Sequence, residues 1–370
     1  MKTDHVHGGN VYDRKIELDF SVNTNPLGAP KGVQEVLAQA SELMARYPEP
    51  SYRTLRNAIR EHEKRVYDED IDINKIVVAN GASALISALG QYLSKKRVYV
   101  CDPMFSGYER AFNASGAFES CFPSFDLEGE GSFEEDDREL TYNGTLNEEI
   151  LANLELLHPD AVCLCNPTNP SGALSDISMM EDLLSLCEEF GSLLIVDESF
   201  MDFVAGCEQE SMVRHVNTSA NIIVIRSMTK IYAMPGLRLG YAYFGDPEIA
   251  EKIRELLPEW CVSTVAQAAG TAALTDDEKY LFETREFVAV ERDYMEEKLA
   301  AMGLTVYPSV TDYLMIYSEQ DLFEPLYEHG VLIRMCDNFR SIPCRGYYRI
   351  AVRTREENDR LLCMIEEILR

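Results

Sequence analysis

Positive charge is scarce in this chain: 34 lysines and arginines stand against 63 aspartates and glutamates in 370 residues, a net charge of -29. That balance repels nucleic-acid phosphates and anionic membrane surfaces, so neither is an expected partner. No uninterrupted apolar run approaches bilayer length, and the N-terminus MKTDHVHGGN lacks the apolar core of a secretory signal. Both absences point to a cytoplasmic protein. The ten cysteines form no C-x-x-C pair, and Cys101, Cys163 and Cys165 lie in apolar runs. Reduced core thiols are expected, with neither disulfides nor a metal site. The H-x-H of His5 and His7 has no third ligand at a fitting spacing. Internal repeats are lacking too, and the one biased stretch, the acidic segment Glu128–Glu139, reads as solvated loop surface.

What is present centres on Ile225–Tyr241, IRSMTKIYAMPGLRLGY. Lys230 follows the apolar run Ile222–Ile225, the signature of a buried strand. A lysine just past such a strand is desolvated, which lowers its pKa toward the free amine needed to condense with an aldehyde. Ser227 and Arg238 flank it and suit a phosphate anion, the arginine through its fork of donors. Amine, hydroxyl and guanidinium together are equipment for holding pyridoxal 5'-phosphate (PLP). Taken alone, the stretch also reads as a lysine and an arginine around the Pro235-Gly236 turn.

Along the chain, His7-Gly8-Gly9-Asn10 is either a flexible arm or a close backbone approach to a ligand. After a short strand at Leu18, Asn23 and Asn25 are turn formers or ligand contacts. A helix beginning near Pro30 is expected to carry Val33, Val36, Leu37, Ala40, Leu43 and Met44 on one apolar face, and a second over Ser51–Glu63 to have Ser51 as its N-cap. Strand Ile76–Ala79 turns through Gly81, Ala82 and Ser83 into an apolar helix, aiming backbone N–H groups at a phosphate. Phe105, after strand Val98–Val100, covers a ring or fills core. Strands Ala161–Cys165 and Ser192–Val196 end at Asn169 and Asp197. In open α/β sheets ligands bind beyond the carboxyl ends of the strands, where Asn169, Asp197 and Lys230 all arrive. The alternation of strands and helices over Ile76–Tyr243 argues a mainly parallel α/β sheet, and strands near Tyr313–Tyr317 and Tyr347–Val352 a smaller unit. Arg334 and Arg349 stand out there, facing solvent or an anion.

In order along the chain come NGAS, NPTNPSG, a strand ending in Asp-Glu, S-x-T-K and PGLRLGY. Over nearly its full length the sequence therefore resembles the fold-type I PLP enzymes, aminotransferase class I/II. The resemblance implies a large domain with a mainly parallel seven-stranded sheet flanked by helices, plus a smaller α/β domain. Its boundaries would be an N-terminal arm and start of the small domain at 1–45, the large PLP-binding domain at 46–280 and the C-terminal small domain at 281–370. It implies Lys230 as the Schiff-base lysine, Asp197 as partner of the pyridine nitrogen and Asn169 as donor to the ring oxygen. Gly81, Ala82, Ser83, Ser227 and Arg238 fall at cofactor-binding positions, Phe105 on the ring, and Tyr47 at the position that reaches the other subunit of a homodimer.

Within the family, HGGN, DFSVNTNPLG, the IRMC and YYRIAVRT motifs, Trp260 with Val262, and Phe200 where many aminotransferases carry tyrosine are similar to the L-threonine-O-3-phosphate decarboxylases. That likeness implies decarboxylation to (R)-1-amino-2-propanol O-2-phosphate in cobalamin biosynthesis, with His7, Gly8, Asn23, Asn169, Arg334 and Arg349 on the phosphoamino acid. Histidinol-phosphate aminotransferase is the alternative, and a non-catalytic PLP-binding regulator is disfavoured by the acidic charge. The bond at Cα held perpendicular to the cofactor ring is the one that breaks, so how the arginines hold the carboxylate decides between the two reactions. Ser199, Ser263 and Ala84 depart from the pattern, where relatives have mostly Ala, Asn and Glu.

Overall fold

The computed structural model describes residues 8–123, 145–275, 277–342 and 345–370. His7 and the acidic segment Glu128–Glu139 therefore lie outside the described residues. The strands are β1 Leu18–Asp19, β2 Ile76–Ala79, β3 Arg97–Asp102, β4 Phe118–Pro123, β5 Ala161–Cys165, β6 Leu193–Asp197, β7 Ile222–Ser227, β8 Gly240–Phe244, β9 Thr305–Tyr307, β10 Tyr313–Tyr317, β11 Val331–Leu332, β12 Arg334–Met335 and β13 Tyr347–Ala351.

Seven of them form one sheet in the order β2-β8-β7-β6-β5-β3-β4, parallel except for β8, which runs against both neighbours. The central strands carry continuous apolar runs because both faces are covered. Successive side chains point to opposite faces. Val162, Leu164, Leu194, Val196, Ile222 and Val224 thus join one core, while Ala161, Cys163, Leu193, Ile195, Ile223 and Ile225 join the other. Cys101, Cys163 and Cys165 are buried in these cores.

A second sheet, β12-β13-β10-β9, is antiparallel, and its register sets Arg334 opposite Arg349. β1 pairs in parallel with β11, and Ala351 N–H donates to Phe20 O at 2.9 Å. The start of the chain is thereby sewn to its end, and the loop after β1 runs from there to Lys230.

Two local expectations fail. The helix from Pro30 divides into Lys31–Ala38 and Ala40–Leu43 at Gln39, and of the expected apolar face only Val33 is buried; Met44 is 72% exposed. Helical periodicity marks a face but does not say what covers it. The next helix spans Arg53–Val66, and Tyr52 rather than Ser51 precedes it, in a left-handed conformation without a side-chain cap. Ser263, in contrast, caps the helix Thr264–Ala273, its Oγ accepting from Ala266 N at 3.2 Å.

Candidate active site

The end of the parallel strands opens into a cavity of about 260 Å³. Gly8, Asn23, Ala82, Ser83, Phe105, Asn169, Asp197, Ser227, Lys230, Arg238, Arg334 and Arg349 all line it. Strand register explains the convergence. Cys165 is opposite Asp197 and Asp197 opposite Ile225, so β5 and β6 end level, β7 runs two residues further to Ser227, and the odd-numbered residues of all three share one face.

The even-numbered neighbours point behind the sheet. There Arg226, buried, pairs with Glu198 at 3.1 Å and Asp202 at 3.2 Å, and donates to Tyr67 Oη at 2.8 Å. This cluster ties the end of β6 to the end of β7 and so fixes Asp197 relative to Ser227 and Lys230. Breaking a buried ion pair costs more than forming it gains, so its role is positional.

Lys230 lies within the short helical turn Met228–Ile231 after β7. Burial lowers its pKa to about 8, helped by Arg349 and Arg238 and opposed by Asp312 and Asp197. The neutral amine is therefore the major form above about pH 8. The rate at which the apoprotein captures an aldehyde should rise with pH and level off above that value, as stopped-flow absorbance would record. A profile still climbing toward the ordinary lysine range would show that the amine is not desolvated.

Around it, Ser227 Oγ and Thr229 Oγ1 lie 2.8 Å apart, two hydroxyls at one point of the wall. Arg238, whose Nη1 donates to Pro235 O at 3.1 Å, brings its guanidinium against Gly81. Gly81 has φ 77° and ψ 163°, a region essentially closed to other residues, and a Cβ there would lie 2.8 Å from Arg238 Nη2. Backbone N–H groups at the start of the helix Ala82–Tyr92, the hydroxyls and Arg238 together make an anion cradle. Gly81→Ala should cost about 1–3 kcal/mol of stability from backbone strain. By displacing Arg238 it should also weaken a bound phosphate group roughly tenfold. Thermal melts and a cofactor titration read the two effects separately.

Asp197 accepts from Ser199 N at 3.0 Å, Ser199 Oγ at 2.5 Å and Tyr108 Oη at 2.9 Å. Burial raises its pKa, and these donors and Lys230 oppose the rise. Asn169 Oδ1 accepts from Arg349 Nη1 at 2.6 Å, which leaves the Asn169 amide N–H₂ to donate. Arg349 also donates to Ser21 O at 2.8 Å, while its Nε has no hydrogen-bond partner. Arg334 donates to Asn338 Oδ1 at 2.6 Å and to Met335 O, and burial with the nearby Arg349 pushes it down to about 10. Two buried guanidiniums side by side repel each other, and an anion between them relieves that repulsion.

Asn23 and Asn25 have separate fates. Asn25 is structural, donating to Ile231 O at 2.9 Å and Thr284 Oγ1 at 2.7 Å. Asn23 is 1% exposed, and neither amide atom has a partner, an arrangement a polar ligand would satisfy. Tyr47 is outside the cavity, 84% exposed, its ring 5.4 Å from that of Trp260. Sequence reasoning did not single out Thr229, Ser199 as a cavity residue, Tyr108, Asn338 or Phe339. Thr229 alone carried a signal, as the third residue of S-x-T-K.

An amine poised near neutrality, a phosphate cradle, a buried carboxylate and an aromatic ring at Phe105 fit PLP in residue type and in placement. Residues 15–365 match the family model described as aminotransferase class I and II. A threonine-phosphate decarboxylase of Salmonella typhimurium is 31% identical, covering 98% of this chain and 96% of that protein. An adenosylcobalamin biosynthesis bifunctional protein of Leptospira interrogans is also 31% identical, over 96% of this chain and 40% of its own length. Among solved structures, the histidinol-phosphate aminotransferase from Clostridium acetobutylicum superposes with a TM-score of 0.82 at 26% identity, covering 95% of this chain and 99% of that one. The architecture is thus the expected fold-type I arrangement, and the chain belongs to the aminotransferase class I and II family.

Proposed function

We propose that this chain is a PLP-dependent decarboxylase converting L-threonine O-3-phosphate to (R)-1-amino-2-propanol O-2-phosphate, a step of cobalamin side-chain synthesis. The observation that carries the reading is the pairing of Arg334 with Arg349 on neighbouring strands, both lining one cavity with Lys230. Two guanidiniums match a substrate with two anionic groups, a phosphate and a carboxylate. The similarity to threonine-phosphate decarboxylase over nearly the whole of both chains supports the same substrate.

Bound at this site, PLP supplies an aldehyde for amines and a ring that accepts the electron pair left when a bond to Cα breaks. Gly81, Ala82, Ser83, Ser227 and Arg238 hold its phosphate, Phe105 covers the ring, and Asn169 donates to the ring oxygen. Asp197 holds the proton on the ring nitrogen. Arg334, Arg349, Asn23 and Gly8 orient the amino-acid phosphate, and Lys230 delivers the proton to Cα after carbon dioxide leaves. Phe200 lines the cavity and packs on Tyr313 at 5.0 Å, so it offers the ring oxygen no donor. The active unit is a homodimer in which Tyr47, exposed beside Trp260, reaches the partner's site.

The second reading, a histidinol-phosphate aminotransferase, is favoured by the fold match to the Clostridium enzyme. The test mixes PLP-loaded protein with L-threonine O-3-phosphate and no keto acid, and follows carbon dioxide. Steady release supports the decarboxylase. No release, with conversion of the cofactor to its amine form by histidinol phosphate, establishes the aminotransferase instead.

A further inference from the structure

Asp197 has about four lone-pair directions as a carboxylate. Three are taken from within the protein, by the Ser199 N–H at 3.0 Å and O–H at 2.5 Å on Oδ1 and by the Tyr108 O–H at 2.9 Å on Oδ2. One remains, in a residue that lines the cavity. The capacity left is that of a single donor, which a ring nitrogen carrying one proton supplies.

That proton can sit on nitrogen, giving an ion pair, or on oxygen, giving a neutral pair. Burial favours the neutral pair, and every hydrogen bond donated to the carboxylate makes it a weaker base and favours the ion pair. We propose that Ser199 is a positioning residue whose hydroxyl keeps the shared proton on the ring nitrogen; this rests on the reading of Asp197 as that nitrogen's partner. The Ser199 O–H makes the shortest of the three bonds. Without it the proton moves from nitrogen to Asp197, no charge leaves the pair, and the ring loses the positive charge that lets it draw electrons from Cα. Alanine at 199 retains the backbone N–H that closes the turn on Oδ1, so the variant tests the hydroxyl and not the fold.

The experiment loads the dimeric enzyme with PLP labelled with ¹⁵N in the ring and records the nitrogen resonance and the turnover of L-threonine O-3-phosphate. The proposal expects a pyridinium resonance in the parent, a displacement toward neutral pyridine in Ser199→Ala and its return in Ser199→Thr, which restores the hydroxyl. A loss of about one pKa unit from the match corresponds to a kcat lower by about tenfold in Ser199→Ala, with KM changed by less than about twofold. An unmoved resonance in Ser199→Ala overturns the proposal, as does a threonine variant that fails to restore it. If Asp197→Asn leaves the nitrogen protonated, the assignment of Asp197 falls and takes the proposal with it. Displacement in Ser199→Ala with no carbon dioxide from any variant rejects the decarboxylase and leaves the proton placement standing.

Discussion

Replacing Lys230 by alanine lowers turnover by about 10⁴-fold, the upper range for losing a positioned proton donor. The absorbance of lysine-bound PLP disappears at the same time. Both effects follow from one placement: the amine stands at the end of β7 in surroundings that bring it to about pKa 8, and it lines the cavity with Asp197, Asn169 and Arg349. Among the described residues no other lysine lines that cavity, so no described neighbour replaces it. Titrating the variant with PLP and scanning its visible spectrum checks the first link, and carbon dioxide release checks the second. An unchanged spectrum would assign the covalent role to another lysine.

Arg349→Ala raises the KM for the amino-acid phosphate by about 10²–10³-fold, the size expected for losing one partner of a buried charge pair. Its effect on PLP affinity is far smaller. The guanidinium is anchored by neutral oxygens, Asn169 Oδ1 at 2.6 Å and Ser21 O at 2.8 Å, with Nε left over. Asp312 and Asp19 offset part of its charge from a distance. In the proposed function the anion it awaits is the substrate's, and Arg238 with the turn at Gly81 would hold the cofactor phosphate. Equal losses of substrate and cofactor affinity, measured by initial rates and by PLP titration, would place Arg349 in the scaffold instead. Arg349→Lys should recover only part of the loss, because an ammonium cannot hold Asn169, Ser21 and an anion in one plane.

The strands that carry the site were legible because they are fully buried. Ala161–Cys165 and Tyr313–Tyr317 have the bounds read from the sequence. Continuous apolar runs leave few alternatives. The segment from Pro30 to Ser51 was misread because its apolar residues are largely exposed and its helix start has no side-chain cap. Local pattern cannot distinguish a face destined for the core from one left at the surface.

Lys230, Asp197, Asn169, Ser227, Arg238 and the Gly81 turn could be named from the sequence because their chemistry is written in residue type and order: an amine after a buried strand, a carboxylate ending another, a glycine before a helix. Strand order, the reversal of β8, the register of β5, β6 and β7 and the facing of Arg334 with Arg349 were decided only by the tertiary structure. So were the Arg226 cluster behind the sheet, the two donors of Ser199 and that of Tyr108 on Asp197, and the opposite fates of Asn23 and Asn25. These depend on contacts between residues tens to hundreds of positions apart, or on the direction of a side chain within a turn. A one-dimensional pattern sets what each residue can do, while packing sets which partner it meets and therefore which of its possible charges and hydrogen bonds it keeps.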